Sequence, residues 1–360
     1  MKDLHRSSKP VAIWLLIGVA MIIVQIVLGG ITRLTDSGLS ITEWKPLLGT
    51  LPPLNEQEWN QAFNQYKEIA QFKHLHSYFT LEDFKAIFFW EWFHRVWGRL
   101  LGIVFLIPFI IFLVQKRFSK DMIQPMVILF LLGGLQGLIG WIMVQSGLND
   151  EDLYVSHIRL AIHFMAALGL LVYTFWFALK LLVKPQQKIF NPSSKKFIVT
   201  IIVLLVVQLI YGAFMAGLKA ATYAPTWPDI NGAYFPPNMS HYGGRSFSFL
   251  SALVNNPITI HFIHRNLAYL IFILILVWSI KAIRENKSRI FNTLKWLPLL
   301  FVIIQVVLGI VAVLTSPKKV PQQWGIFEWN AQLHQFVAML LLLSLTMVLF
   351  LLNRKEKTNS

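Results

Sequence analysis

Residues 86–114 read AIFFWEWFHRVWGRLLGIVFLIPFIIFLV. A helix needs about 20 mostly apolar residues to cross a bilayer, and this run exceeds that. It nevertheless carries Glu91, His94, Arg95 and Arg99 in its first half. Ionisable groups inside a span are costly and mark function by default. Working outward, seven further runs have the same apolar character: 11–31, 123–145, 157–182, 197–218, 257–283, 296–315 and 328–352. The sequence therefore predicts an all-α polytopic membrane protein with eight transmembrane helices. The first run is read as a retained span, because it is long for a signal peptide, lacks a small-residue cleavage site and is followed by Arg33. Of the 360 residues 56% are hydrophobic and only 14% charged, against roughly 25% charged in soluble domains. Soluble, disordered, collagenous and coiled-coil classes are excluded by that balance. With no cysteine, disulfides, zinc–thiolate sites, iron–sulfur clusters and thiol nucleophiles are excluded too.

The net charge of +15 is a matter of topology. Lys2, Arg6 and Lys9 flank the first span on one side. The same side receives Lys116, Arg117 and Lys120, then Lys180, Lys184, Lys188, Lys195 and Lys196, then Lys281, Arg284, Lys287, Arg289 and Lys295, and lastly Arg354, Lys355 and Lys357. The opposite side holds fewer basic residues and most of the acids, including Asp150, Glu151 and Asp152. The positive-inside rule then puts both termini in the cytoplasm, with the lipid bilayer as the partner of the excess charge. No basic surface is left over for nucleic acid.

A repeat runs through the spans. The odd ones share Gln-x-x-x-Gly: Gln25/Gly29, Gln136/Gly140, Gln208/Gly212 and Gln305/Gly309. The even ones each carry a histidine: His94, His163, His264 and His334. The offsets agree, at 183 from Gln25 to Gln208, 169 from Gln136 to Gln305, 170 from His94 to His264 and 171 from His163 to His334. The chain thus reads as two tandem pseudo-symmetric four-helix bundles, an N-terminal one over 1–185 and a C-terminal one over 186–360. Four spans per unit give both units the same orientation, which argues against an inverted-repeat transporter. Gln-x-x-x-Gly by itself is read as helix packing.

Four histidines at matched depth are more than packing. Bundle cores build cofactor sites from side chains on facing helices, and neutral imidazole is a common iron ligand. Two imidazoles per bundle suit heme better than zinc, which asks for three or four protein ligands. The units differ at one place: Glu91-Trp-Phe-His94-Arg95 in the first corresponds to His261-Phe-Ile-His264-Arg265 in the second. A buried carboxylate needs a partner or a proton. Glu91 is therefore either the ion-pair partner of Arg95, one turn on, or a group that accepts protons or stabilises positive charge beside a reacting heme. Arg95, Arg99 and Arg265 are candidates for heme propionates, with lipid-headgroup or loop contacts as the alternative. His241 and His261 are secondary candidates. His5, His74 and His76 fall in tails or loops and receive no role.

The long outer loop, 32–85, holds Asn55-Glu56-Gln57-Glu58, which resembles a helix cap. Trp59, Phe63 and Tyr66 follow as one apolar stripe of an amphipathic helix that lies on the membrane or caps the first bundle. Thr80 with Asp83 reads as a second cap, opening the helix of Glu91. The second unit has a Gly/Pro/Asn-rich loop over 220–256 instead.

Taken together, GGITRLTDSGLSITEWKP (29–46), the following PPL…W…F..Y segment, EWFHRVWGR (91–99) and the histidines of spans four, six and eight resemble the heme A synthase family over nearly the whole chain. The branch resembled is the proteobacterial and mitochondrial one; the Bacillus-type branch carries an outer-loop cysteine pair that is absent here. The resemblance implies an enzyme of the bacterial inner membrane that oxidises the C8 methyl of heme O to the formyl group of heme A for terminal cytochrome oxidases. Water would supply the oxygen, and electrons would leave through a resident heme b. His264 and His334 would ligate heme b, and His94 and His163 would flank the iron of substrate heme O, with Glu91 as the acidic residue of the mechanism. Both heme sites would lie toward the outer face. The implied partners are a heme O synthase (a farnesyltransferase) and an electron acceptor not identified by the sequence; homo-oligomerisation is left open. Three other classes stay open on the residues alone: a diheme b-type electron-transfer subunit, a heme-binding transporter or chaperone, and a small-solute transporter that binds no heme.

Overall fold

The computed structural model describes residues 9–44, 48–237, 239–284, 288–319 and 323–353. Lys2, His5, Arg6, Lys45, Pro46, Lys287, Arg354, Lys355 and Lys357, used in the sequence reading, lie outside the described residues.

Among the described residues eight helices are long and apolar enough to cross a membrane. They are α1 (Lys9–Leu34), α3 (Leu81–Val114), α4 (Lys120–Gln145), α5 (His157–Leu182), α6 (Pro192–Gly217), α8 (Pro257–Ile283), α10 (Leu297–Thr315) and α11 (Ile326–Leu351). Among the described residues three shorter α-helices lie between them, α2 (Glu56–Lys67), α7 (Phe249–Asn255) and α9 (Arg289–Leu294), besides single turns of 3-10 and π helix. A helix satisfies its own backbone in lipid, which is why apolar runs of this length take no other form.

The spans expected from hydropathy are all present, and their ends shift where polar caps extend the helix past the apolar run. Asn191 accepts from the Ser194 amide at 3.0 Å ahead of Pro192, so α6 begins five residues before the run at Phe197. Asn256 likewise accepts from Ile258 at 2.9 Å and Thr259 at 3.2 Å, and α8 begins at Pro257. Thr80 and Asp83 form a reciprocal capping box at the head of α3.

The neighbour pattern repeats. In the first half α1 packs on α3 and α5, and α4 packs on α3 and α5. In the second, α6 packs on α8 and α11, and α10 packs on α8 and α11. The halves meet through α5 against α6, α1 against α11, and α5 against α11. The largest apolar core lies toward the end that carries the basic loops. It joins Leu171 and Leu179 of α5, Ile198 of α6, Ile275 and Trp278 of α8, and Leu345 and Phe350 of α11. The histidines lie toward the opposite end.

That end carries two unlike lids. In the first half, Asn55 caps α2 by accepting from the Glu58 amide at 2.9 Å. Trp59, Phe63 and Tyr66 of α2 pack against Phe84 and Phe88 of α3. The amphipathic helix thus caps the first bundle. In the second half, a hairpin of β1 (His241–Tyr242) and β2 (Arg245–Ser246) turns through Gly243 and Gly244, at φ 58° and 74°. Positive φ at both turn residues is what a type I′ two-residue hairpin loop requires, and glycine adopts it without strain.

Candidate functional site

His264 of α8 and His334 of α11 face each other with ring centroids 6.4 Å apart and planes at 72°. A metal–imidazole nitrogen bond is about 2 Å, and a ring centroid lies about 1 Å behind its nitrogen. Two imidazoles on opposite sides of one metal therefore stand about 6 Å apart between centroids. The pair fits a single iron. Both rings line a cavity of about 1140 Å³, above the 300–1,000 Å³ usual for one small ligand. His94 of α3 and His163 of α5 line the first-half part of the same cavity. Among the described residues, no group of three or more His, Cys, Asp or Glu is placed to hold a metal ion. A porphyrin, which brings its own equatorial nitrogens, asks for no more than two protein ligands.

Glu91, one turn from His94, is 3% exposed and lines the cavity. Its Oε2 accepts from the Ser40 hydroxyl at 2.7 Å and the Ile41 amide at 2.9 Å. Its Oε1 pairs with Arg95 at 2.5 Å. Arg95 also donates to the carbonyls of Ile41 at 2.9 Å and Glu43 at 3.2 Å. The ion pair considered from the sequence is present, and together these bonds seat the outer loop on α3.

The second half repeats the construction with different chemistry. His261 replaces the carboxylate, is 1% exposed, and meets Arg265 through Nε2 at 2.9 Å. Arg265 donates to the carbonyls of Thr226 at 2.8 Å, Pro228 at 3.1 Å and Asp229. Thr226 lies 183 positions after Glu43, the offset that separates Gln208 from Gln25. Each half thus uses an arginine one turn beyond the 91/261 position to clamp its own outer loop. Arg265 lines the cavity as well, as do Arg95 and Arg99.

Charged residues also gather between the halves. Asp36 bonds Lys219 at 3.0 Å and Lys319 at 3.5 Å. Arg33 donates to the Ala216 carbonyl at 2.8 Å, and the Lys219 ammonium lies 3.7 Å from the centroid of the Tyr154 ring. Burial pulls the Lys219 and Lys319 ammonium groups down from their ordinary range, and Asp36 opposes the shift. All four charged groups line the cavity.

Residues 12–346 match the COX15-CtaA family model, described as cytochrome oxidase assembly protein. The chain belongs to the heme A synthase family. It is 37% identical to the heme A synthase of Flavobacterium psychrophilum over 348 residues, which cover 96% of this chain and 98% of the relative. It is 36% identical to that of Flavobacterium johnsoniae over 358 residues, 98% of this chain and 100% of the relative. It is 35% identical to that of Pelagibacter ubique over 342 residues, 95% and 96% of the two chains. No solved structure matches.

In this member of the heme A synthase family the structure brings Glu91, His94, Arg95, His163, His264, Arg265 and His334 to one cavity, with His261 among them. His241 stands apart, exposed and bonded to Ser240 at 2.8 Å. His76 is buried in the outer lid, 2.6 Å from the Tyr66 hydroxyl. The Arg33–Asp36–Lys219–Lys319 cluster was missed by sequence reasoning. The one signal that could have found it is the 183-residue offset that links Asp36 to Lys219.

Proposed function

We propose that this chain oxidises the C8 methyl group of heme O to the formyl group of heme A, with water as the oxygen source, for terminal cytochrome oxidases. The observation that carries the reading is the 6.4 Å His264–His334 pair in a cavity shared with a second histidine pair beside a buried carboxylate. The C-terminal half, 186–360, holds heme b through His264 and His334. The N-terminal half, 1–185, with its long loop 32–85, receives heme O between His94 and His163. The repeated neighbour pattern supports two tandem pseudo-symmetric four-helix bundles. The basic loops support a cytoplasmic-membrane protein with both termini inside and the heme sites toward the outer face.

Bound heme b supplies one-electron transfer toward an external acceptor. The chain's own residues orient and stabilise. Glu91 is held on both oxygens, so the carboxyl group is fixed in place before substrate arrives, and it favours positive charge or a departing proton at the substrate's edge. Arg95 and Arg265 line the cavity and fix the lids; each guanidinium has five donors to share with heme carboxylates.

The halves differ in free space as well. Gly102, Gly133, Gly134 and Gly137 line the cavity, and a Cβ on any of them would meet nothing within 4 Å. At the repeat offsets of 170 and 169 the second half has Phe272, Val302, Ile303 and Val306. The roomier first half suits the substrate with the bulky tail added by a heme O synthase farnesyltransferase.

The test is expression with a heme O source, followed by extraction and chromatography of the hemes. Heme A together with heme b is the expected result. Heme b alone would indicate an electron-transfer subunit, heme O without heme A a carrier, and no heme would overturn the reading.

A further inference from the structure

The four Gln-x-x-x-Gly elements do something that helix packing alone does not explain. Glycine inside a helix costs about 1 kcal/mol relative to alanine, so four glycines at equivalent places need a reason. In every copy, what lies over the glycine is the histidine of the next spanning helix. A Cβ on Gly309 would lie 2.9 Å from His334 Cε1, and one on Gly140 would lie 2.8 Å from His163 Cε1. A Cβ on Gly212 would lie 3.3 Å from His264 Cε1, and one on Gly29 would lie 3.3 Å from His94 Nε2. Contacts under 3 Å cannot be kept, so at Gly309 and Gly140 a methyl group would push the ring out of its seat.

The glutamine, one turn earlier on the same face, touches the same histidine. Gln25 donates to the His94 carbonyl at 3.2 Å and Gln136 to the His163 carbonyl at 2.9 Å. The Gln136 amide also lies 3.1 Å from His163 Nδ1. Gln208 and Gln305 reach ring atoms, 3.3 Å from His264 Nε2 and 3.2 Å from His334 Nε2. His334 Nδ1 donates to the Gln305 carbonyl at 3.0 Å, which puts the ring lone pair on Nε2, the tautomer a metal requires; that lone pair accepts from the Gln305 side-chain amide, a contact a bound metal would replace. The Oε1 of Gln25, Gln136, Gln208 and Gln305 is buried without a hydrogen-bond partner in all four copies.

We propose that each Gln-x-x-x-Gly element is an imidazole cradle. The glycine seats the ring and the glutamine holds the histidine, at the ring for Gln136, Gln208 and Gln305 and at the backbone carbonyl for Gln25, which makes Gln25/Gly29, Gln136/Gly140, Gln208/Gly212 and Gln305/Gly309 positioning residues for the four histidines. The inference rests on the heme reading above and adds the element that aims the ligands.

The test compares Gly309→Ala, Gly212→Ala and Gly169→Ala in the purified full-length protein. It reads heme b per protein, the optical spectrum and the electron paramagnetic resonance g values. Gly169 has nothing within 4 Å of a built Cβ and serves as the control. Gly309→Ala should weaken heme retention about 10-fold or more, the range for disturbing groups that orient metal-ligating histidines, or convert low-spin heme to high-spin. Gly212→Ala, with its longer contact, should shift the g values with a smaller loss, and Gly169→Ala should match wild type. Alanine raises helix propensity, so the variants should accumulate as folded protein. If Gly309→Ala does not accumulate, Gln305→Leu is read by the same spectra, with the same loss expected. A wild-type spectrum and stoichiometry in Gly309→Ala, or in Gln305→Leu where that is the variant read, overturns the cradle while leaving the heme reading intact. An equal loss in Gly169→Ala reduces the effect to general packing and also overturns it. A wild type without heme removes the reading and the cradle together.

Discussion

Asp36 and Lys219 stand 183 residues apart and bond at 3.0 Å, each from the second residue beyond a spanning helix, α1 and α6. Both adopt left-handed backbone, at φ 53° and 52°. Such a conformation costs a lysine about 1–2 kcal/mol, so the tertiary contact must hold it. The two positions share the 183-residue offset of Gln25 and Gln208, and the pair ties the end of α1 to the end of α6, acid on one side and base on the other.

Asp36→Asn should destabilise the protein by about 2–4 kcal/mol, because it leaves Lys219 and Lys319 largely buried without their acid. The exchange Asp36→Lys with Lys219→Asp should recover part of the loss. Thermal unfolding in detergent measures both. An Asn variant within about 0.5 kcal/mol of wild type would show that the pair carries no more than a surface ion pair does.

Glu91→Gln should keep heme b at wild-type stoichiometry while lowering heme A formation about 100-fold or more, the usual weight of a positioned acid–base or electrostatic group. Glutamine keeps the size and its carbonyl can still accept from Ser40 and Ile41, but its amide would face Arg95, so hydrogen exchange of residues 37–44 is read alongside to separate lost charge from a loosened loop. Extracted heme A per heme b is the readout. Normal heme A in this variant would remove Glu91 from the chemistry.

Filling the first-half glycines separates the two sites. Gly133→Val and Gly137→Val place in α4 the residue type that the second half has at 302 and 306. Heme A formation should fall, with KM for heme O rising several-fold, while heme b content stays constant. Unchanged turnover in the double variant would mean that the substrate does not use this space.

The outer lid should loosen in acid. Burial holds the His76 imidazole down at about 4, below its ordinary 6.5. The fold therefore favours the neutral ring. The unfolded chain takes up a proton first as pH falls, so the stabilisation is complete above about pH 6.5 and drains away between there and about 4, worth at most about 3 kcal/mol. Hydrogen exchange of residues 56–80, corrected for intrinsic rates, should rise across that window. Flat protection between pH 7 and 5 contradicts this, and His76→Gln should flatten the response.

Much of the site could be read from sequence because membrane spans write periodic signals. His94, His163, His264 and His334 were visible as polar residues where lipid admits few, and their matched offsets revealed pairing before any geometry did. Polar caps moved the helix ends: Asn191 and Thr80 lengthen α6 and α3 beyond what hydropathy registers. The double hold on Glu91 by Ser40 and Ile41 depends on how loop 37–44 folds back, which no spacing encodes. Gln-x-x-x-Gly was legible as repetition, but its relation to the histidines appears only when neighbouring helices are laid side by side. Arg265 shows the same limit: the sequence offers a guanidinium near a heme, and the structure occupies several of its donors with the carbonyls of Thr226, Pro228 and Asp229.

The central claim is that two imidazole pairs in one cavity serve different hemes. Heme b per protein, with its low-spin signature, measured in His264→Ala, His334→Ala, His94→Ala and His163→Ala, tests it most directly. The first two should lose the low-spin heme b, while the last two should retain it and fail to make heme A. Retention of wild-type low-spin heme b in both His264→Ala and His334→Ala would contradict the account.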